Sequence, residues 1–458
     1  MKIRIISTTT TFYPLDTDAQ DLSHKNDNLT LKSMLMYLKR ELNEEVRFFR
    51  AGDKFVVLQQ WRDALFVIES DENYSPELLK LTLQATREIL IFLFGPKYET
   101  VMGTSISLAK RQAFARYIDT YLNHCDTNYL YLLQTPIHDI DNYELGNCFS
   151  QCAENVSSQY KSNLIGLFLF NNNKIVSMYV PKNASKIDPE MLFIIQLFEN
   201  VEYPNTKSEP NFQLISEQFV EENIRTRIAF IRSNRIPLAC SLTSSQLYSN
   251  SPLTILAITQ DSKMTIEQKD TIKNMMMNLT KSVSTLYFAQ PNYPPIEVVE
   301  GLVHAAFINR TNGTSFELTP DITMSLLSRY MAFQSEEEME QMVISMKKSL
   351  ANKATTALMK GYTTMIWGEM DLQFCYQLAF RDADGNEIKP THVFEPPPFD
   401  DDSGITFNLV VSSVLPDVRG KINVFEILTV FTGDMPVRDV SYGVNLMFQN
   451  YLKDCVVL

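Results

Sequence analysis

Glycine and tryptophan are scarce in this chain, with 14 and 2 residues among 458. So little glycine leaves neither G-x-G-x-x-G nor G-x-x-x-x-G-K-[ST], the backbone segments that close around nucleotide phosphates. Neither a dinucleotide site nor a P-loop is expected. H-E-x-x-H, C-x-x-C and the G-x-S-x-G nucleophile elbow are missing as well, so no conventional enzyme site is expected. Positive charge is short: 41 Lys and Arg face 54 Asp and Glu, for a net charge of −13. That balance argues against nucleic acid, and against an anionic membrane surface unless a local basic patch intervenes. Apolar runs such as 89–94 fall far below the ~18 residues of a spanning helix. The start, MKIRIIST, has no long apolar stretch after its charges, so no signal peptide is expected. Six dispersed cysteines fit reduced thiols in the cytoplasm.

An apolar share of 45% and a charged share of 21% describe a globular chain able to bury sizeable cores. Its length suggests about three domains of roughly 150 residues each. Two strand-rich blocks organise the last third. GLVHAAFINRTNGTSFEL (301–318) folds back at Thr311-Asn312-Gly313, and KGYTTMIWGEMDLQFCYQLAFRDADG (360–385) folds back at 368–371. One long helical segment, opening on Glu336, Glu337 and Glu338 and closing on Lys347, Lys348 and Lys353, is expected between them.

The first third reads β-β-α-β-β-β-α-α. Strands are expected over 3–7, 46–49, 55–61 and 64–69. A helix presents Leu31, Met34, Leu35, Leu38 and Leu42 on one face. Ser75-Pro76 opens another helix that runs to Phe94, before Gly95-Pro96. That helix is apolar all round over 89–94, more than one core face needs, so either a partner covers it or both its sides are buried. The middle third repeats the pattern less clearly. Helices are expected over 143–160, 188–201 and 265–288, and strands over 164–170, 174–180, 213–215, 228–232, 237–242 and 253–259. Borders fall near 125–140 and at the proline cluster 289–296, giving units 1–127, 128–290 and 296–458. The fold class is α+β, three domains each built on a mostly antiparallel sheet flanked by helices.

Residues that could carry chemistry have plainer readings. Cys148 and Cys152 lie one helical turn apart without a second cluster, as small buried residues do. His304 sits in an apolar strand as a satisfied core or edge histidine. Asp382-Ala383-Asp384-Gly385 starts like a calcium loop, but its twelfth position would be Phe394, so a hairpin turn is expected.

The blocks LVHAAFINRTNG and KGYTTMIWGEMDLQFCYQLAFRDADG, with the tail GKINVFEILTVFTGDMPVRDVSYGVNLMFQNYLKDCVVL, resemble the three-longin-domain family of Mon–Ccz, Fuzzy and Hermansky–Pudlak syndrome proteins. The likeness is strong over 300–458; before that mainly the order of elements agrees. It implies three longin (roadblock-like) domains and a heterodimer with a second three-longin subunit, of the Hermansky–Pudlak type-four kind. It also implies guanine-nucleotide exchange on Rab GTPases in the biogenesis of lysosome-related organelles. Such a subunit is cytoplasmic, peripherally recruited to endosomal membranes, and needs neither cofactor nor catalytic side chain. Vertebrate members carry a long mid-chain insert that is short here. A Mon-type subunit, a Fuzzy-like planar-polarity or ciliary effector, or a longin trafficking scaffold therefore stays open.

The resemblance places both the Rab and the partner contact on the first domain. Met36 and Tyr37 lie off the apolar helix stripe. Phe48 and Phe49 are adjacent in a strand, so one must leave the core face. Trp61 ends the next strand beside Arg62, as a hot-spot pair or as a tryptophan half buried at a sheet end. Met36, Tyr37, Trp61 and the outward phenylalanine are the expected contact residues.

Overall fold

The computed structural model describes residues 1–7, 11–14, 21–41, 43, 46–71, 74–103, 107–139, 143–159, 163–182, 184–204, 224–246, 251–260, 270, 274, 299–390, 407–418 and 420–455. The strand expected over 213–215, the helix over 265–288 and the proline cluster lie outside these residues.

The fold is α+β, with three antiparallel sheets flanked by helices, compatible with three longin-like units. The first unit comprises β1 (Lys2–Ile6), β2 (Thr11–Tyr13), α1 (Asp21–Glu41), β3 (Phe48–Ala51), β4 (Lys54–Trp61) and β5 (Ala64–Asp71). After these come α2 (Pro76–Phe94), α3 (Tyr98–Gly103) and α4 (Leu108–Thr127). A short helix, α5 (Tyr129–Leu132), leads to the second unit: α6 (Tyr143–Gln159), β6 (Leu164–Asn171), β7 (Lys174–Tyr179), α7 (Leu192–Glu202), β8 (Arg225–Ser233), β9 (Ile236–Gln246) and β10 (Leu253–Thr259). The third opens with β11 (Leu302–Asn309), β12 (Thr314–Glu317), α8 (Pro320–Tyr330), α9 (Glu336–Met359), β13 (Thr364–Glu369) and β14 (Leu372–Arg381). It closes with β15 (Glu387–Ile388), α10 (Phe407–Val414), β16 (Asn423–Thr432) and α11 (Val437–Cys455).

One permutation recurs three times. The sheets run β2-β1-β5-β4-β3, β7-β6-β10-β9-β8 and β12-β11-β16-β14-β13, the last with β15 paired off this path to β14, so each has strand order 2-1-5-4-3 when β15 is left out of the numbering. Turn chemistry sets the hairpins. Asn172-Asn173, Asn234-Arg235 and Met370-Asp371 are paired residues at positive φ, the backbone of a tight two-residue turn that follows strand twist. Gly313 closes β11–β12 at φ +78°, and a Cβ there would stand 2.5 Å from the Leu192 side chain of the second unit. The long helix expected from Glu336 is α9, and a shorter helix that was not expected, α8, precedes it. Thr319, followed by Pro320, caps α8, and Ser335 caps α9 by accepting from the Glu338 amide at 3.2 Å.

Strand alternation divides the interior. In β5, Phe66 and Ile68 enter a core shared by all three units, while Leu65 and Val67 face outward under α1. In β10, Leu256 and Ile258 point to the shared core and Ile255 and Ala257 to α6. In β16, Val424, Leu428 and Val430 point inward, and Phe425, Ile427 and Phe431 pack on α11. Each sheet thus has an outer helix of its own and an inner face given to the common core. The apolar end of α2 packs there: Phe92 meets Tyr117 and Phe198 of the second unit, both at 6.2 Å. Ile89 and Leu90 are buried with Phe92, while Ile91, Leu93 and Phe94 are half buried against the same core.

Residues 128–139, where a border was expected, run through the centre as a buried link. Tyr129 to Leu133 are all buried. Glu426 lies on the inward face of β16 and is itself buried. Arg310, following β11, donates from Nε to Glu426 at 2.7 Å and from Nη1 to the Leu133 carbonyl (3.2 Å) and Thr135 Oγ1 (2.8 Å). Glu426→Gln removes the countercharge and leaves Arg310 charged in the core. Urea unfolding should register a loss of about 3 to 5 kcal/mol, against near neutrality for an exposed charge such as Glu340→Gln.

Candidate functional site

The three outer helices hold their sheets unequally. On α6, Leu145, Phe149 and Ala153 recur every four residues and are buried. On α11, Val440, Val444, Met447 and Phe448 do the same. On α1, among the described residues, Leu31 and Leu35 reach the core beneath, and both are half buried. Polar clamps hold one side of the helix: Asn28 donates to Thr11 Oγ1 at 2.7 Å, and Lys32 donates to the Ser7 carbonyl. Partial burial pushes the Lys32 ammonium below its usual range, with Asp63 acting against it. Leu38 is half buried, and several apolar residues of α1 face outward. Met36 is 70% exposed, Tyr37 61% and Leu29 65%; Met34, expected in the core stripe, is exposed too.

Beside α1 the edge of the first sheet is short. Among the described residues β3 pairs only with Lys54–Val57, the first half of β4. Phe48 stands opposite Val57 and Phe49 opposite Val56. Phe49 turns toward the core under α1, and Phe48 is the outward member at 58% exposure. A cleft of about 660 Å³ opens here, with Leu35 and Met36 of α1, Phe48, Val57 and the start of α2 at Pro76 and Glu77 among its walls. The structure therefore brings Met36 and Phe48 to one cleft, with Phe49 turned under α1, while Tyr37 is exposed on α1 outside that lining. Leu29 and the shortness of β3 were not read from the sequence. The run LTLKSMLMYL carries apolar residues beyond one stripe, which is the signal that could have found Leu29.

Trp61 is not on this surface: it is 3% exposed. It follows Val57 on the inward face of β4 and stands opposite Ala64, whose small side chain leaves room for an indole. Phe66 meets it edge-on at 4.7 Å, and the Arg87 guanidinium of α2 lies 5.0 Å over its ring. Arg62, its expected arginine partner, turns away to Glu99 at 3.3 Å.

The other residues singled out have structural roles. Asp382 accepts from the backbone N–H groups of Asp384 (2.9 Å) and Asn386 (2.7 Å) and closes its own turn. These bonds hold its carboxyl below the usual range. His304 is fully buried between Tyr129 and Thr323. Among the described residues, no group of three or more His, Cys, Asp or Glu could hold a metal ion, and no helix is long and apolar enough to cross a membrane.

Compared with known proteins, the chain matches no family model and no curated protein.

Trp61→Ala should cost about 3 to 5 kcal/mol of unfolding free energy, as an aromatic removed from a core. Phe48→Ser and Met36→Ser should stay within ~0.5 kcal/mol of the parent chain. Thermal and urea melts of the three variants separate the core residue from the surface pair.

Proposed function

We propose that this chain is a three-longin subunit of a heterodimeric guanine-nucleotide exchange factor for Rab GTPases. Within that class, its proposed identity is the Hermansky–Pudlak syndrome type-one subunit, paired with a type-four-like partner and recruited peripherally to endosomal or lysosome-related organelle membranes. The observation that carries this reading is the uncovered surface of the first unit, where Leu29, Met36, Tyr37 and Phe48 face outward beside a short sheet edge. An apolar surface next to an open strand suits a protein partner, which can add backbone hydrogen bonds and fill the cleft between α1 and α2.

The exchange mechanism asks for shape, not for a catalytic side chain. A factor that binds the nucleotide-free GTPase more tightly than the loaded one shifts that equilibrium and speeds nucleotide release. It does so by displacing the switch segments that hold Mg²⁺ and phosphate. Lys32, Lys39, Arg47 and Lys80 line the cleft against Asp63 and Glu77, a local positive excess on a chain whose net charge is −13, which favours an acidic partner there.

The test mixes the chain, with and without its second subunit, with a panel of Rabs carrying fluorescent GDP. The heterodimer should accelerate release from at least one Rab. Met36→Glu with Phe48→Glu should weaken heterodimer formation or exchange by about 2 kcal/mol while leaving the thermal midpoint unchanged. A stable heterodimer that releases no nucleotide would favour a trafficking scaffold, and failure of both binding and exchange would remove the proposal.

A further inference from the structure

Three of the five histidines meet at the central link, each at a contact between units. His138 Nδ1 accepts the backbone N–H of Ser315 in β12 at 3.2 Å. That amide can only donate, so this bond needs the Nδ1 lone pair; the Ser315 hydroxyl, 3.4 Å from Nδ1, gives its proton to the Pro136 carbonyl at 2.5 Å. His124 Nε2 accepts from the Asn200 amide of α7 at 3.0 Å, and its ring stacks on Tyr131 at 4.7 Å. His304 bonds Tyr129 Oη at 3.2 Å through Nε2 and Thr323 Oγ1 at 2.9 Å through Nδ1. Each contact ties the link, or the helix leading into it, to the second or the third sheet.

We propose that this junction is an acid-released latch. Protonation of His124, His138 and His304 frees residues 128–139 from the second and third units while the sheets stay folded.

The charged surroundings offer an imidazolium little help. Glu317 lies 3.8 Å from His304 but is already paired with Lys347 at 2.6 Å. Beside His138, Asp139 accepts from Asn171 at 2.7 Å. Around His124 stand Cys125, Asp126 and, beyond Tyr131, Glu199. Burial pushes His124 down, His138 down to about 4, and His304 well below its usual range with Lys347 adding to the effect. An imidazole freed to solvent titrates near ~6.5, so the released link binds more protons than the latched one. The latch is complete above about pH 7 and weakens as pH falls through roughly 6.5 toward 4. Glu199 acts in the opposite sense: burial raises its carboxyl to about 8, and protonated it still accepts from Thr254 of β10 at 2.5 Å. Acid therefore strengthens the second unit's own packing while it loosens the link.

Hydrogen exchange of the full chain, corrected for intrinsic rates, reads this directly. Between pH 7.5 and pH 5, peptides spanning 128–139 should lose protection at least about tenfold, while 424–432 keep theirs. The double variant His124→Gln, His138→Asn, which keeps the acceptor atoms without their proton affinity, should hold the link at pH 5 to within a few-fold of pH 7.5. A link that stays protected at pH 5, or opens only together with β16, overturns the proposal, as does a double variant with the parent's response. Should that variant not fold, ¹³C-labelled histidine in the parent chain decides. Three imidazoles must stay neutral until the link opens, and five ordinary titrations with the link still protected overturn the latch.

Discussion

Burying a charge is the expensive step in this structure, and Arg310 is where the chain takes it. Its guanidinium holds Glu426 with one edge and two acceptors of the link with the other, and its face lies 4.9 Å from the Phe407 ring. An unpaired guanidinium in such a place would be strongly destabilising, so any opening of the link works against the cost of turning those donors to solvent. One side chain therefore fixes how the third unit meets the segment joining the first two. Gln196 does similar work for the second unit, bonding both the N–H and the carbonyl of Ile137 at 2.8 and 3.0 Å.

A repeated sheet makes that centre possible. The central strand of each sheet, β5, β10 and β16, sends apolar residues to both faces, because one side carries the outer helix and the other the shared core. A polar residue placed on the inner face then comes within reach of another unit. Glu426, with β16 neighbours inward at Val424 and Leu428, finds Arg310 and comes within reach of the link. His304 in β11 finds Tyr129. The polar contacts between units follow from strand parity applied to the few residues that break the apolar pattern.

Parity and turn chemistry were legible in the sequence, and so most strands were placed within a residue or two and the α+β class was read correctly. The Thr311–Gly313 and 368–371 turns, the Ser75 cap, the buried satisfied His304 and the self-closing Asp382 turn all depend on near neighbours, which local pattern reports well. Trp61 did not, because its environment is made by Arg87 on a helix that starts after the next strand. The sequence supplied an adjacent arginine and the plausible but wrong pair. The apolar run 89–94 was ambiguous for the same reason: whether Phe92 meets solvent or Phe198 depends on a residue more than a hundred positions away. Helix α8 was legible in Thr319-Pro320 but missed beside the stronger charge gradient of α9.

The candidate surface was half legible for a related reason. Helical spacing set Met36 and Tyr37 off the core stripe, and strand alternation required one of Phe48 and Phe49 to turn out. What periodicity could not supply is the comparison among units. The outer helices α6 and α11 bury their apolar residues at regular spacing, whereas α1 leaves most of its own uncovered. Three sheets of one permutation under one set of packing constraints act as internal controls for each other. A helix that fails to cover its sheet in one copy alone is not a general weakness of the architecture. It marks the first unit as the place where this chain has apolar surface left for another molecule to bury.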